Sequence, residues 1–90
     1  MIFEWDDDKR QGNLAKHDVD IVKAARIFEG SIATQKDDRS DYGEARYQSI
    51  GYIGEDCLVV VWTERDGVVR LISARRGGRR DRRRHAQGVA

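Results

Sequence analysis

LVVVWTERDGVVRLISARR, residues 58–76, contains the most β-prone residues of the chain. It divides at Asp66-Gly67 into two largely apolar arms, Leu58–Thr63 and Val68–Ala74. Asp-Gly between two apolar runs is typical of a tight type I′ turn, because both central residues of that turn need a positive φ. The stretch therefore predicts a β-hairpin at the centre of the fold.

Four arginines, Arg65, Arg70, Arg75 and Arg76, interrupt or follow these arms. A two-residue turn sets Arg65 opposite Val68 and Thr63 opposite Arg70, and uninterrupted alternation then puts Arg70 and Arg75 on opposite faces. The arginines have two interpretations, as surface ion pairs between strands or as a cluster of guanidinium groups that binds phosphodiester oxygens. Their spacing leaves both open.

Two helices are predicted ahead of the hairpin. The first spans Asp6–Lys16, with Asp6 as its N-cap, and contains so few apolar residues that it depends on tertiary contacts. The second spans Ile21–Glu29 and is capped by Asp20. It carries an apolar stripe at i, i+3, i+4 and i+7, formed by Ile21, Ala24, Ala25 and Phe28.

The other segments predict the rest of a sheet. Met1–Trp5 is a short strand or an extended lead-in, Ser31–Gln35 and Ala45–Ile53 alternate as strands do, and the polar segment Asp37–Glu44 is a loop. We therefore expect an α+β fold in which two N-terminal helices pack on a four-stranded antiparallel sheet. The whole chain, residues 1–90, is expected to form a single domain.

The charge is unevenly distributed. The formal net charge is +1, yet residues 75–84 contain seven arginines and one acid, while the rest of the chain is net negative. The basic tail, residues 77–90, is expected to form a short helix or a tail that is frayed alone and ordered on an anionic partner. Phosphates or an acidic protein segment fit this charge.

The sequence indicates a cytoplasmic protein without a membrane segment. Cys57 is the single cysteine, so no disulfide forms within the chain, which fits a reducing compartment. No secretory signal pattern is present, and no run approaches the roughly 20 apolar residues of a membrane span.

No metal site or cofactor is predicted. The acidic run Asp6–Asp8 is explained by helix capping, and the pair at 37–38 by solvation in a loop. His17-Asp18 lacks further ligands at metal spacing. His17 is either a residue at a helix end that hydrogen-bonds a carboxylate or carbonyl, or a proton carrier.

Several short blocks between residues 3 and 84 resemble the BrnT toxin family. They are Phe3-Glu4-Trp5-Asp6, Lys9, Asn13, Lys16-His17, Val19, Asp38-Arg39, Tyr42-Gly43-Glu44 with Arg46, Thr63-Glu64-Arg65, and Arg70 with Ile72-Ser73-Ala74-Arg75-Arg76. The resemblance implies a ribonuclease toxin of a type II toxin–antitoxin module with a RelE-like fold. It also implies a BrnA-like ribbon-helix-helix antitoxin, a heterotetramer of the pair, and repression of their own operon through the antitoxin.

The chain departs from the family pattern at two places. In the usual acid-and-tyrosine tail, Asp81 stands for the acid and His85 for the aromatic residue. Early in the second helix, Val22 and Lys23 occupy the place of two glutamates. In RelE-like enzymes a C-terminal tyrosine can serve catalysis, so the resemblance leaves open whether His85 takes that role here. The change in the second helix alters a charged face that the resemblance places against the antitoxin.

The resemblance implies RNA cleavage without a metal, which requires a base, an acid and cations around the phosphorane. The expected products are a 2′,3′-cyclic phosphate and a 5′-hydroxyl. The residues expected in catalysis are Glu64, Arg70, Arg75, His17 and Lys9. The residues expected to bind RNA are Arg46, Arg65, Arg76, Arg79 and Arg80. The alternative is a non-catalytic basic module that binds RNA or an acidic protein.

Overall fold

The computed structural model describes residues 1–88. In chain order its elements are β1 (Phe3–Glu4), α1 (Asp7–His17), α2 (Ile21–Ala24), a 3-10 helix (Ala25–Glu29), β2 (Ala33–Lys36), β3 (Tyr47–Ile53), β4 (Asp56–Arg65), β5 (Val68–Arg76) and α3 (Arg79–Gly88). No helix in this part of the chain combines the length and apolarity needed to cross a membrane.

The sheet has five strands in the order β1-β5-β4-β3-β2. The predicted antiparallel meander of β2 to β5 is confirmed. The prediction of four purely antiparallel strands is wrong in detail, because β1 pairs in parallel with β5 and makes the sheet mixed. A strand of two residues is too short to show a period, so only its partner reveals it.

The central hairpin forms at the predicted turn. Asp66 and Gly67 have φ values of 54° and 80°, as a type I′ turn requires. Arg65 lies opposite Val68, as predicted. The arms are longer than expected, since β4 begins at Asp56 and β5 ends at Arg76. The turn residues therefore fix the register of the two longest strands.

A β-bulge in β5 changes the predicted faces. Val61 lies opposite Ser73 rather than Ile72, so Ile72 is an extra residue in β5. One extra residue inverts the alternation beyond it. The prediction that Arg70 and Arg75 lie on opposite faces is therefore wrong, and the bulge brings both onto one face.

The main core lies on the face of the sheet covered by α2 and the 3-10 helix, called the helix face below. Its buried residues include Ile21, Ala24, Ala25, Ile27, Leu58, Val60, Val69, Leu71 and Ala74. The second predicted helix covers Ile21–Glu29 but is α-helical only to Ala24 and 3-10 from Ala25. A Cβ on Gly51 would lie 2.7 Å from Ile27 Cβ, so glycine permits this close approach.

The helix α1 lies beside β5 and is held there by Asn13. The Asn13 side-chain amide donates to Val19 O at 2.8 Å and to Ala74 O at 2.9 Å, and Asn13 Oδ1 accepts from Ala74 N at 3.1 Å. Arg10 adds a two-pronged ion pair with Asp20. These polar contacts supply the tertiary support that the apolar-poor helix requires.

The basic helix α3 packs on the opposite face of the sheet. The His85 ring meets Tyr52 edge-on at 4.9 Å, and His85 Nε2 lies 3.0 Å from Ser31 O. Gly77 precedes α3 and lies so close to Cys57 that a Cβ there would clash with its Sγ. The expectation of a frayed tail is therefore corrected for residues 79–88, which form a helix docked on the sheet. Residues 89–90 lie outside the described part.

Candidate active site

A cavity of about 490 Å³ lies on the sheet face opposite the helix face, called the cavity face below. Its walls come from α1, from the beginning of β3, the middle of β4 and the C-terminal half of β5, and from the loop after β2. Its polar lining residues are Lys9, Asn13, Lys16, His17, Arg39, Gln48, Ser73 and Arg75. No aspartate or glutamate among residues 1–88 lines the cavity, so the cavity suits an anion.

One side of α1 supplies the first group of cavity residues. Lys9, Asn13, Lys16 and His17 fall at i, i+4, i+7 and i+8, which places them on one helical face. Asn13 is buried against β5, so the bonds that dock α1 also aim the two lysines and His17 at the cavity. The helix ends at His17, because Asp18 takes a left-handed conformation with φ 56°.

Arg75 enters the cavity from β5, where the bulge sets its direction. Its guanidinium binds the Asp81 carboxylate through two contacts, of 2.9 and 3.3 Å. Asp81 also accepts a hydrogen bond from Gly78 N at 2.9 Å, which caps the start of α3. The Arg75 guanidinium holds the pKa of Asp81 below its usual range. Asp81 thus fixes both Arg75 and α3.

Arg39 reaches the cavity from the loop between β2 and β3. Its Nε and Nη2 each lie 2.8 Å from an oxygen of Asp37. The Asp37 side chain is fully buried, so the expectation that Asp37 is simply solvated in a loop is wrong. The Arg39 guanidinium lowers the pKa of Asp37 to about 2.

Three other candidate arginines lie along the cavity face, towards the hairpin turn. Arg65 binds Glu44 at 2.8 Å and Arg46 binds the same carboxylate at 3.4 Å, while Arg70 pairs with Glu4 at 3.4 Å. None of the three lines the cavity. All three lie on the same face of the sheet as the cavity, and each has a glutamate partner.

The remaining candidates lie elsewhere. Glu64 is exposed and sits opposite Val69, a residue of the core on the helix face, so the structure does not bring it to the cavity. Arg76 also lies on the helix face, in a depression that Asp20 helps to line. Arg79 and Arg80 are exposed in the first turn of α3. In the described part of the chain, no group of three or more His, Cys, Asp or Glu is placed to hold a metal ion.

Comparison with known families gives one decisive match. A family model described as "Ribonuclease toxin, BrnT, of type II toxin-antitoxin system" matches residues 5–81. The chain belongs to the BrnT family. The family is one of ribonuclease toxins, so this BrnT chain is a toxin with ribonuclease activity and has an antitoxin as its partner. A search of curated proteins found no match.

The structure unites part of the predicted site of this BrnT protein. Of the residues expected in catalysis, it brings Lys9, His17 and Arg75 to one cavity. The expected site leaves out five further polar residues of the cavity, which are Asn13, Lys16, Arg39, Gln48 and Ser73. Lys16 was open to detection, because it lies seven residues after Lys9 on one helical face. Asn13 lies on that same helical face, and Gln48 lies opposite Val61 in the regular pairing of β3 with β4. Arg39 depends on the position of its loop and Ser73 on the bulge, and neither leaves a periodic signal.

Proposed function

We propose that this BrnT protein cleaves RNA without a metal ion and thereby inhibits translation. The observation that carries the proposal is one cavity lined by Lys9, Lys16, His17 and Arg75, with no aspartate or glutamate lining it in the described part of the chain. Divalent cations such as Mg²⁺ favour carboxylate oxygens, whereas a phosphodiester favours guanidinium and ammonium groups. The cavity therefore fits the scissile phosphate itself.

The proposed reaction uses four cavity residues. His17 takes the proton of the ribose 2′-hydroxyl while the 2′-oxygen attacks phosphorus. Arg75 and Lys16 stabilise the charge of the phosphorane, and Asp81 holds Arg75 in place. Lys9 supplies a proton as the bond to the 5′-oxygen breaks. The products are a 2′,3′-cyclic phosphate and a 5′-hydroxyl.

The proposed reaction gives no step to five of the expected site residues, which are Glu64, Arg46, Arg65, Arg70 and Arg76. The three arginines on the cavity face are proposed to bind the RNA backbone beyond the cavity, since they lie along the same face of the sheet and their guanidinium groups can exchange Glu44 and Glu4 for phosphates. No step is assigned to Glu64 or Arg76, because they lie on the helix face.

The proposed partner is a BrnA-like antitoxin with a ribbon-helix-helix domain, bound in a heterotetramer. We propose that an acidic segment of this antitoxin covers α3, whose exposed arginines are Arg79, Arg80, Arg82, Arg83 and Arg84. Operator DNA is bound through the antitoxin, and the pair acts in the cytoplasm. The supporting observation is the dense positive charge of an ordered helix.

The test is cleavage of a short RNA by the purified protein in EDTA, with single variants of the cavity residues. Replacing His17 with alanine or Arg75 with alanine should lower kcat/KM by roughly 10²–10⁴-fold. Lys23→Ala is the matched control, since Lys23 is an exposed lysine of α2 on the helix face. The 5′ ends should accept phosphate from a polynucleotide kinase without prior dephosphorylation.

Wild-type rates in both cavity variants would contradict the assignment of the site, and loss of cleavage in EDTA would contradict metal independence. Salt-sensitive binding without any RNA fragments would instead support the alternative, a non-catalytic binding module. Growth arrest on induction, relieved by co-expression of the neighbouring short reading frame, tests the antitoxin.

A further inference from the structure

Arg39 faces the same cavity as the proposed catalytic residues but has no part in the reaction described above. It comes from the β2–β3 loop, whereas the catalytic residues come from α1 and β5. We infer that Arg39 binds a second phosphate of the RNA, adjacent to the one that is cleaved. This inference rests on the proposed ribonuclease function and specifies its substrate, a chain of at least two phosphates.

Asp37 holds the Arg39 guanidinium in position before any ligand binds. Asp37 binds it at two points, both 2.8 Å, and also accepts from Arg39 N at 3.3 Å. Asp37 is itself fixed by the hydrogen bond from its backbone N–H to Arg46 O at 2.7 Å. A guanidinium positioned in this way loses less side-chain entropy when a ligand binds.

Arg39 also keeps N–H groups of its guanidinium that can donate hydrogen bonds to a ligand. A guanidinium has five N–H groups, and the contacts with Asp37 engage two of its nitrogens through one N–H each. Three N–H groups remain, and 63% of the side chain is exposed. Asp37, by contrast, has no exposed side-chain surface. The pair therefore presents positive hydrogen-bond donors to the cavity and keeps its carboxylate behind them.

Arg75 and Asp81 form a second pair in which a largely buried aspartate holds an arginine of the cavity. Asp81 binds Arg75 at 2.9 and 3.3 Å, and the Asp81 side chain is only 14% exposed. Two arginines, each backed by a largely buried aspartate, thus open onto one cavity from different elements. A substrate with two anionic groups in series, such as an oligoribonucleotide, gives each of the two arginines a phosphate of its own.

A purely structural role for Arg39 makes a different prediction. If the ion pair with Asp37 only stabilises the loop, removing Arg39 lowers stability and leaves the number of phosphate contacts unchanged. The salt dependence of RNA binding separates the two roles. Each phosphate contact on a single strand contributes about 0.7 to the slope of log K against log salt concentration.

The binding test uses a fluorescently labelled 2′-deoxy oligonucleotide of eight residues, which lacks the attacking hydroxyl. For Arg39→Ala we expect about tenfold weaker binding and a salt slope smaller by about 0.7. Arg39→Lys should keep the slope but bind more weakly than wild type, because an ammonium lacks the paired donors. Arg26→Ala is the control, since Arg26 is an equally exposed arginine that pairs with Glu29 on the helix face.

The cleavage test compares two substrates. Arg39→Ala should lower kcat/KM about tenfold on a tetraribonucleotide and leave it unchanged on a dinucleoside monophosphate, which has no second phosphate. Thermal unfolding of each variant confirms that it is folded at the assay temperature. Asp37→Asn removes the backing carboxylate and keeps Arg39. This variant should also lower kcat/KM on the tetraribonucleotide, but by less than Arg39→Ala does.

Equal affinity and equal salt slope in wild type and Arg39→Ala would overturn the inference. So would an equal loss on both substrates, or a wild-type protein that does not bind the oligonucleotide at all. If wild type binds but does not cleave any RNA, the proposed function fails, and the binding data alone still decide the role of Arg39.

Discussion

Asn13 connects stability to function, because it docks the helix that carries Lys9, Lys16 and His17 of the cavity. Replacing it with alanine removes hydrogen bonds to Val19 O, Ala74 O and Ala74 N and leaves those groups without their partner. At about 1 kcal/mol for each hydrogen bond, the loss is about 3 kcal/mol. The higher helix propensity of alanine offsets a few tenths of this.

The expected loss is large for a small domain. A chain of this length has a free energy of unfolding of roughly 5–13 kcal/mol. A loss of about 3 kcal/mol should lower Tm by about 12–24 °C, measured by circular dichroism at pH 7. Gln11→Ala is the control, because Gln11 is exposed on the same helix; its Tm should stay within about 2 °C.

Asn13→Asp tests the direction of the hydrogen bonds. Aspartate keeps an acceptor for Ala74 N, but its second oxygen would lie close to Val19 O and Ala74 O, where the wild-type amide donates. At neutral pH this variant should therefore be less stable than Asn13→Ala. A loss below about 0.5 kcal/mol for Asn13→Ala, or greater stability for Asn13→Asp than for Asn13→Ala, would refute the reasoning.

Two further predictions concern the ion pair in the loop and the contact below α3. In the folded protein the pKa of Asp37 is about 2, against an ordinary value of 3.8. The ionised Asp37 therefore adds about 2 kcal/mol to the free energy of unfolding. This contribution is complete above pH 4 and is lost as pH falls towards 2. In urea unfolding, the stability difference between wild type and Asp37→Asn should shrink over that range, and a constant difference would contradict the pKa. Gly77→Ala should cost about 1–3 kcal/mol, since its Cβ meets Cys57 Sγ. Gly78→Ala meets nothing within 4 Å and is the control, and equal Tm values for the two would contradict the clash.

Local rules predict the sheet because its signals are local. Asp66-Gly67 predicts a turn with two positive φ values, and the apolar arms on either side of it predict β4 and β5. The helix starts at Asp6 and Asp20 are equally local, since each aspartate caps a nearby backbone N–H. Such features depend on neighbours a few residues apart, so the sequence shows them directly.

The cavity is less predictable because it depends on distant contacts. Arg75 faces it only because Ile72 is an extra residue in β5, and no sequence period marks a bulge of this kind. Lys9 and His17 face it because Asn13 bonds with Ala74, 61 residues away. The resemblance to the family pointed to Lys9, His17 and Arg75, while their shared location required the fold.

The distribution of acids explains how a largely acidic body presents a positive cavity. Asp37 and Asp81 sit behind Arg39 and Arg75, where they neutralise part of the positive charge yet expose little carboxylate surface. A buried carboxylate behind an arginine fixes its direction without repelling an incoming phosphate at contact distance. Removing either aspartate should therefore disturb binding through the orientation of its arginine more than through the change in net charge.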